Sequence, residues 1–183
     1  MRAVIPLAVM ASLLASPAWA NGQSATASGV GRAEVVAPLV VTRESDLDFG
    51  SILAGTRPGT VTISPAGVAS YGGGVDSACA GADCAAGHAA RFAVHGESGR
   101  SYTIAVPDSV IAEGTALQAG DAAPPLTVGG LGVRSDSRPS EGAAGQLDAS
   151  GSDGFQVGGT LVVPPGVPAA RYRATVPVTV NYG

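Results

Sequence analysis

The sequence predicts an all-β protein, an antiparallel sandwich of about eight strands, and three observations carry that prediction. The chain has 27 Gly and 13 Pro among its 183 residues, which breaks it into short segments and argues against long helices. Between these breaks, runs rich in Val, Ile and Thr alternate polar with apolar side chains at the two-residue period of a half-buried strand. No segment carries a convincing apolar stripe at helical period, and Asp108–Leu117 offers a helical turn or two at most. Hydrophobic residues make up 45% of the chain but aromatics only 4%, so any core is modest in size and built from aliphatic side chains.

The elements follow in order. Residues 1–20 have the pattern of a secretory signal peptide: Arg2, an apolar run from Ala3 to Ala15, and a small-residue site at Ala18-Trp19-Ala20, with cleavage before Asn21. Residues 21–32 are small and polar and read as a flexible leader. The domain then spans 33–183. Its first strand is expected over Ala33–Thr42, with Pro38 marking an edge or a bulge. Asp46–Ile52 alternates next and turns Leu47 and Phe49 inward together. Gly59–Ser64 places Val61 and Ile63 on one face, and Pro65 ends it. Ala90–Gly96, with Phe92 and Val94 inward, and Ser101–Val106, with Ile104 inward, are expected to form a hairpin through Gly96–Arg100. Leu126–Arg134, Gly154–Val163 (with Leu161 in the core) and Tyr172–Tyr182 complete the set. The last alternates most cleanly, with Val176, Val178, Val180 and Tyr182 on one face. Such a string of short strands without helices indicates an immunoglobulin-like sandwich. Three Phe and four Tyr cannot form the two aromatic girdles of an outer-membrane barrel.

Two stretches carry a family likeness: Leu47-Asp48-Phe49-Gly50-Ser51-Ile52 leading into Gly59–Ser64, and Phe155–Val163 followed by Tyr172 and Val178–Tyr182. In order and spacing they resemble the secreted bacterial family called domain of unknown function 4402, over about residues 33–183. That family is similar to fimbrial subunits of the pilin-like sandwich type, so the resemblance implies a structural or adhesive role. This chain departs from the family pattern where Ala170 and Ala174 flank Arg171 and Arg173, and where Pro177, lacking a backbone donor, interrupts the final strand.

Composition narrows the partners. The chain has no lysine and a formal net charge of −4, so it has no basic face for nucleic acid or an anionic lipid surface. After the signal, no stretch approaches the roughly 20 apolar residues of a membrane-spanning helix. Cys79 and Cys84 are the only cysteines, and in an exported chain their default reading is a disulfide. A metal site built from Asp76, Cys79, Asp83, Cys84 and His88 is the sharper alternative, but the spacing matches no established zinc arrangement. Asp148–Gly154 offers oxygen atoms at alternate positions, as a calcium loop does. Its glycine is displaced and Gly159 stands where the bidentate Glu belongs, so a tight turn explains it better.

Catalysis has little to work with. There are two histidines, His88 and His95, no Gly-x-Ser-x-Gly elbow, and no phosphate-binding loop opening a helix. The expectation is therefore a non-enzymatic, cofactor-free exported protein, periplasmic or on the cell surface. It associates with itself or with other surface subunits by β-strand addition, with a periplasmic chaperone as a further partner. The assembly face is the closing strand Val176–Tyr182, whose plainer role is core packing, and the donor strand is Val35–Val41. The alternative is a self-contained binding module that uses the Gly-rich loops at 66–88 and 135–154.

Overall fold

The computed structural model describes residues 25–79 and 86–183. The expected signal peptide lies outside them, as does Cys84. Backbone contacts divide the chain into Met1–Glu34 and Val35–Gly183. Of the first unit, residues 25–34 form neither helix nor strand and are exposed. The second unit is all-β. Its strands are β1 (Val40–Ser45), β2 (Ile52–Ile63), β3 (Ala69–Ser77), β4 (Ala90–His95), β5 (Ser101–Ala105), β6 (Ser109–Ala116), β7 (Leu126–Ser135), β8 (Ala144–Gln146), β9 (Ser152–Val163), β10 (Ala170–Arg173) and β11 (Thr179–Tyr182). Among the described residues there is no helix.

All pairings are antiparallel. The larger sheet runs β1-β4-β9-β7-β6-β10, with β2 joining β9 to β3; the smaller runs β11-β5-β8. β9 is the spine because one of its edges is shared. Ser152–Val157 pairs with β4 and Gly159–Val163 with β2, while β7 pairs along the opposite edge. Gly158 sits where the partner changes. A Cβ there would lie 2.6 Å from the Pro65 nitrogen and closer still to the Ile63 carbonyl oxygen, so the strand crossing at this point requires glycine.

The two-residue period of β9 aims Phe155, Val157, Leu161 and Val163 at one side, where they enter two neighbouring cores. One core joins Leu161 and Val163 to Val61, Ile63, Val75, Ala112, Leu126 and Val128. The other joins Phe155 and Val157 to Val94, Tyr102, Ile104 and Leu147. Leu47 packs against both. The small sheet lays Ile104, Val180 and Tyr182 over the second core, with Val178 just before β11 packed beside them, which makes that half a sandwich. Each fully buried aliphatic or aromatic side chain contributes roughly 1.5–3 kcal/mol. Phe92 and Phe155, cross-strand partners, stack with centroids 4.9 Å apart.

Several expected elements differ from those observed. Ala90–Gly96 and Ser101–Val106 do not form a hairpin. Both edges of β4 are taken, by β1 and β9, so the chain crosses to the other sheet and β5 pairs with β11 and β8. Asp108–Leu117 is not helical: β6 alternates exposed with inward positions and pairs with β7 and β10. The first strand begins at Val40, after Pro38, and does form an edge. Asp46–Ile52 contributes only the Asp48–His88 bridge before β2. Tyr172–Tyr182 is two strands in different sheets, split around Pro177. The two Gly-rich stretches read as loops contain β3 and β8.

Candidate functional site

The first core borders a groove along one side. Leu126 and Val128 of β7, Leu161 and Val163 of β9, and Ala112 of β6 form the floor of a groove of about 1450 Å³. That exceeds the roughly 300–1,000 Å³ usual for a small-molecule pocket. One wall is the stretch from Asp46 to Ala54, and the other runs from Val167 through β10 to Val176.

Both walls present backbone with hydrogen-bonding capacity to spare. β10 pairs only with β6 among the described strands, and Ala174–Val178 belongs to no strand because Pro177 lacks the donor a ladder needs. Opposite, the described residues of 46–51 make the reciprocal Asp48–His88 bonds (2.9 and 2.8 Å) and a bond from Ala78 to Ser51 (2.9 Å). The Asp48 carboxylate accepts from the Gly50 N–H at 2.7 Å, which turns this stretch out of strand geometry. An unpaired edge beside an apolar-lined groove is the arrangement into which an additional strand fits.

The rim is mixed, with Arg43, Asp46, Glu113, Arg171 and Arg173 beside large apolar side chains. Leu53, Ile111 and Leu117 line the groove while 60, 54 and 59% exposed, and such a cluster marks an interaction surface. Tyr172 stands in the β10 wall, opposite Gly114 of β6. A Cβ on Gly114 would lie 2.7 Å from the Tyr172 ring, so glycine makes room for the ring. The Tyr172 hydroxyl is buried and has no hydrogen-bond partner among the described residues, and burial raises its pKa. An orphaned buried hydroxyl carries a cost that an incoming polar group relieves.

The residues singled out from sequence fall in different places. Val176 is half-buried and lines the groove. Val178, Val180 and Tyr182 pack into the second core. The Tyr182 hydroxyl accepts from the Glu97 N–H (2.8 Å) and donates to the Ala37 carbonyl (2.7 Å). Val61, Ile63, Val94, Ile104 and Leu161 are buried; Leu47, Phe49 and Phe92 are partly so. Cys79 follows β3, and the Cys79–Cys84 pair cannot be described because Cys84 lies outside the described residues.

Other polar groups are committed to the fold. Asp148 uses one carboxylate oxygen on the Ser150 N–H, the Ser150 hydroxyl and the Ser152 N–H, at 2.8, 2.7 and 2.9 Å. These bonds, that of Ser150 first, hold its carboxyl below the usual range. Tyr102 donates to Asp153 at 2.8 Å; burial, then that bond, raises its pKa well above the phenol norm. Arg91 bridges Glu44 and Asp136 at 2.9 Å each on the surface. Ser152 and His95, register partners on β9 and β4, meet at 3.1 Å between Oγ and Nδ1. No carboxylate among the described residues bonds the His95 ring, so the pair lacks the orienting acid of a hydrolytic triad.

Sequence reasoning missed the groove, since its rim residues Leu53, Ile111 and Leu117 look like ordinary strand residues. Only their exposure in the fold sets them apart. No helix among the described residues is long and apolar enough to cross a membrane. No curated protein and no solved structure matches the chain. The family model described as Domain of unknown function (DUF4402) matches residues 39–182, from the residue before β1 to the last of β11. With every strand inside that span, the chain belongs to the family Domain of unknown function (DUF4402).

Proposed function

We propose that this chain is an exported, non-enzymatic structural subunit that associates by β-strand addition, its groove accepting an extended polypeptide segment. The observation that carries the reading is the groove itself, lined by aliphatic side chains and flanked by the β10 edge and by a wall that pairs sparsely among the described residues. In strand addition, main-chain hydrogen bonds supply affinity and alternate side chains fill the floor. The size of the groove and the exposed apolar side chains on its rim suit a peptide better than a small ligand. Export and an extracytoplasmic location follow from the sequence pattern of residues 1–20. Cys79 and Cys84 form a disulfide in that compartment, closing a short loop after β3, and thiol titration of the native protein finds no free cysteine.

The test is the mass of the exported protein in solution as its concentration is raised. Wild type associates; Ile111→Glu and Leu117→Glu, on exposed groove positions, associate at least tenfold more weakly. Val68→Glu, equally exposed at 64% and away from the groove, behaves as wild type. Groove variants that associate like wild type would overturn the proposal.

A further inference from the structure

The two walls of the groove carry opposite charges at the same spacing. On one wall Asp46 and Asp48 are exposed while Leu47 and Phe49 pack against the first core. On the other, Arg171 and Arg173 of β10 are exposed while Tyr172 packs against that core. Each wall therefore presents two like charges at alternate positions, and the signs of the walls are opposite.

The charges are available to a partner. Neither Arg171 nor Arg173 makes a hydrogen bond or ion pair among the described residues, although Arg173 stands opposite Glu113 in the register of β10 with β6. Asp46 meets Arg43 at 2.6 Å, but those side chains are 72 and 66% exposed, and an exposed pair of this kind is easily exchanged.

The backbone matches the charges. The Asp48–His88 bridge uses both the N–H and the C=O of Asp48. In an antiparallel pair the neighbouring residues turn theirs the opposite way, and Leu47 and Phe49 have no backbone partner among the described residues. β10 likewise pairs along one edge only, with β6. Residues 46–49 and 170–173 are thus two free edges of the same length, one acidic and one basic.

Resting on the proposed strand addition, we infer that the segment each groove receives is residues 46–49 of a second copy of this chain, in a two-fold dimer. Rotation about a two-fold axis running along the groove lays the acidic wall of each copy over β10 of the other. Such a contact is self-complementary, so one rotation makes both ladders and both sets of charge pairs. Asp46 and Asp48 then stand across from Arg171 and Arg173, where opposite charges stabilise a strand pair and like charges oppose it. Leu53, Ile111 and Leu117, exposed on the rim, are covered between the copies. The contact closes on itself, so assembly through this groove ends at two chains.

Charge reversal on each wall tests this on the full exported chain by sedimentation velocity. Arg171→Glu/Arg173→Glu makes both walls acidic. Asp46→Arg/Asp48→Asn makes both walls basic and keeps an oxygen for the Gly50 N–H, which the Asp48 carboxylate accepts in wild type. All four positions are exposed, and circular dichroism checks that both variants fold. Wild type forms a dimer and nothing larger. Each variant alone dimerises roughly tenfold or more weakly, because like charges meet at both ladders. An equimolar mixture dimerises again, since each ladder of the mixed pair joins an acidic wall to a basic one. Folded variants that dimerise as wild type does, or a mixture that stays monomeric, would overturn the inference; strand addition would stand so long as Ile111→Glu and Leu117→Glu still weaken association. Wild type that grows beyond a dimer would also overturn the two-fold contact and leave strand addition in place. Wild type that stays monomeric would overturn both.

Discussion

Individual residues determine how firmly the domain is held around its groove. Tyr102 is fully buried and its hydroxyl reaches Asp153. Removing it by Tyr102→Phe deletes a hydrogen bond to a charged group, for which the expected cost is about 2 kcal/mol, read as a lower denaturant midpoint with unchanged slope. Asp148 makes a prediction about pH. Its folded pKa lies below the ordinary value, so its contribution is present above about pH 4 and is lost as pH falls through the depressed folded pKa. Ser150→Ala removes the largest cause, so the Asp148 carboxyl should titrate at higher pH than in wild type when followed by carbon NMR. An unchanged or lower titration would show that the backbone N–H bonds, that of Ser152 first, set the value. The surface pairs of Arg91 call for no comparable prediction, since exposed ion pairs contribute about 0–1 kcal/mol.

At the scale of elements, β9 is the strand on which the domain depends. Gly158→Ala places a methyl group against the backbone of the β2–β3 turn and should cost at least the upper end of the about 1–3 kcal/mol of overpacking. Equilibrium unfolding measures it, and a near-neutral substitution would mean that the β4-to-β2 exchange along β9 is looser than described. How far each element was legible in the sequence follows from the size of its inward side chains. β9 and the closing strand β11 alternate large apolar residues with polar or small ones, so their faces are plain. β6 turns Val110, Ala112, Gly114 and Ala116 inward, and small inward residues leave no alternation to read. β3 hides in the same way behind Gly72-Gly73-Gly74. The missed crossover from β4 to β5 has another cause. A five-residue connection serves a hairpin or a sheet change equally well, and only the prior claim of β1 and β9 on β4 decides between them. The groove was less legible still, because it arises where β10 and the stretch before β2 fail to pair, and local patterning does not record the absence of a partner.

For the whole molecule, the half covered by the β11-β5-β8 sheet is a closed sandwich, while the half around Leu126, Val128, Leu161 and Val163 borders the groove, whose rim leaves Leu53, Ile111 and Leu117 exposed. Exposed aliphatic side chains on such a rim favour whatever chain can bury them. Association and stability are therefore linked, because a segment that binds only the folded groove stabilises the fold by mass action. The thermal midpoint should rise with protein concentration in wild type and stay constant in Leu117→Glu. The most direct test of the central claim, that the groove receives a strand, is amide hydrogen exchange in associated and monomeric protein. The account predicts that amides of residues 46–51 and 174–176, which flank the groove, become strongly protected on association, while those of β8 at the far sheet edge do not change. Association with unchanged exchange in both walls would contradict it.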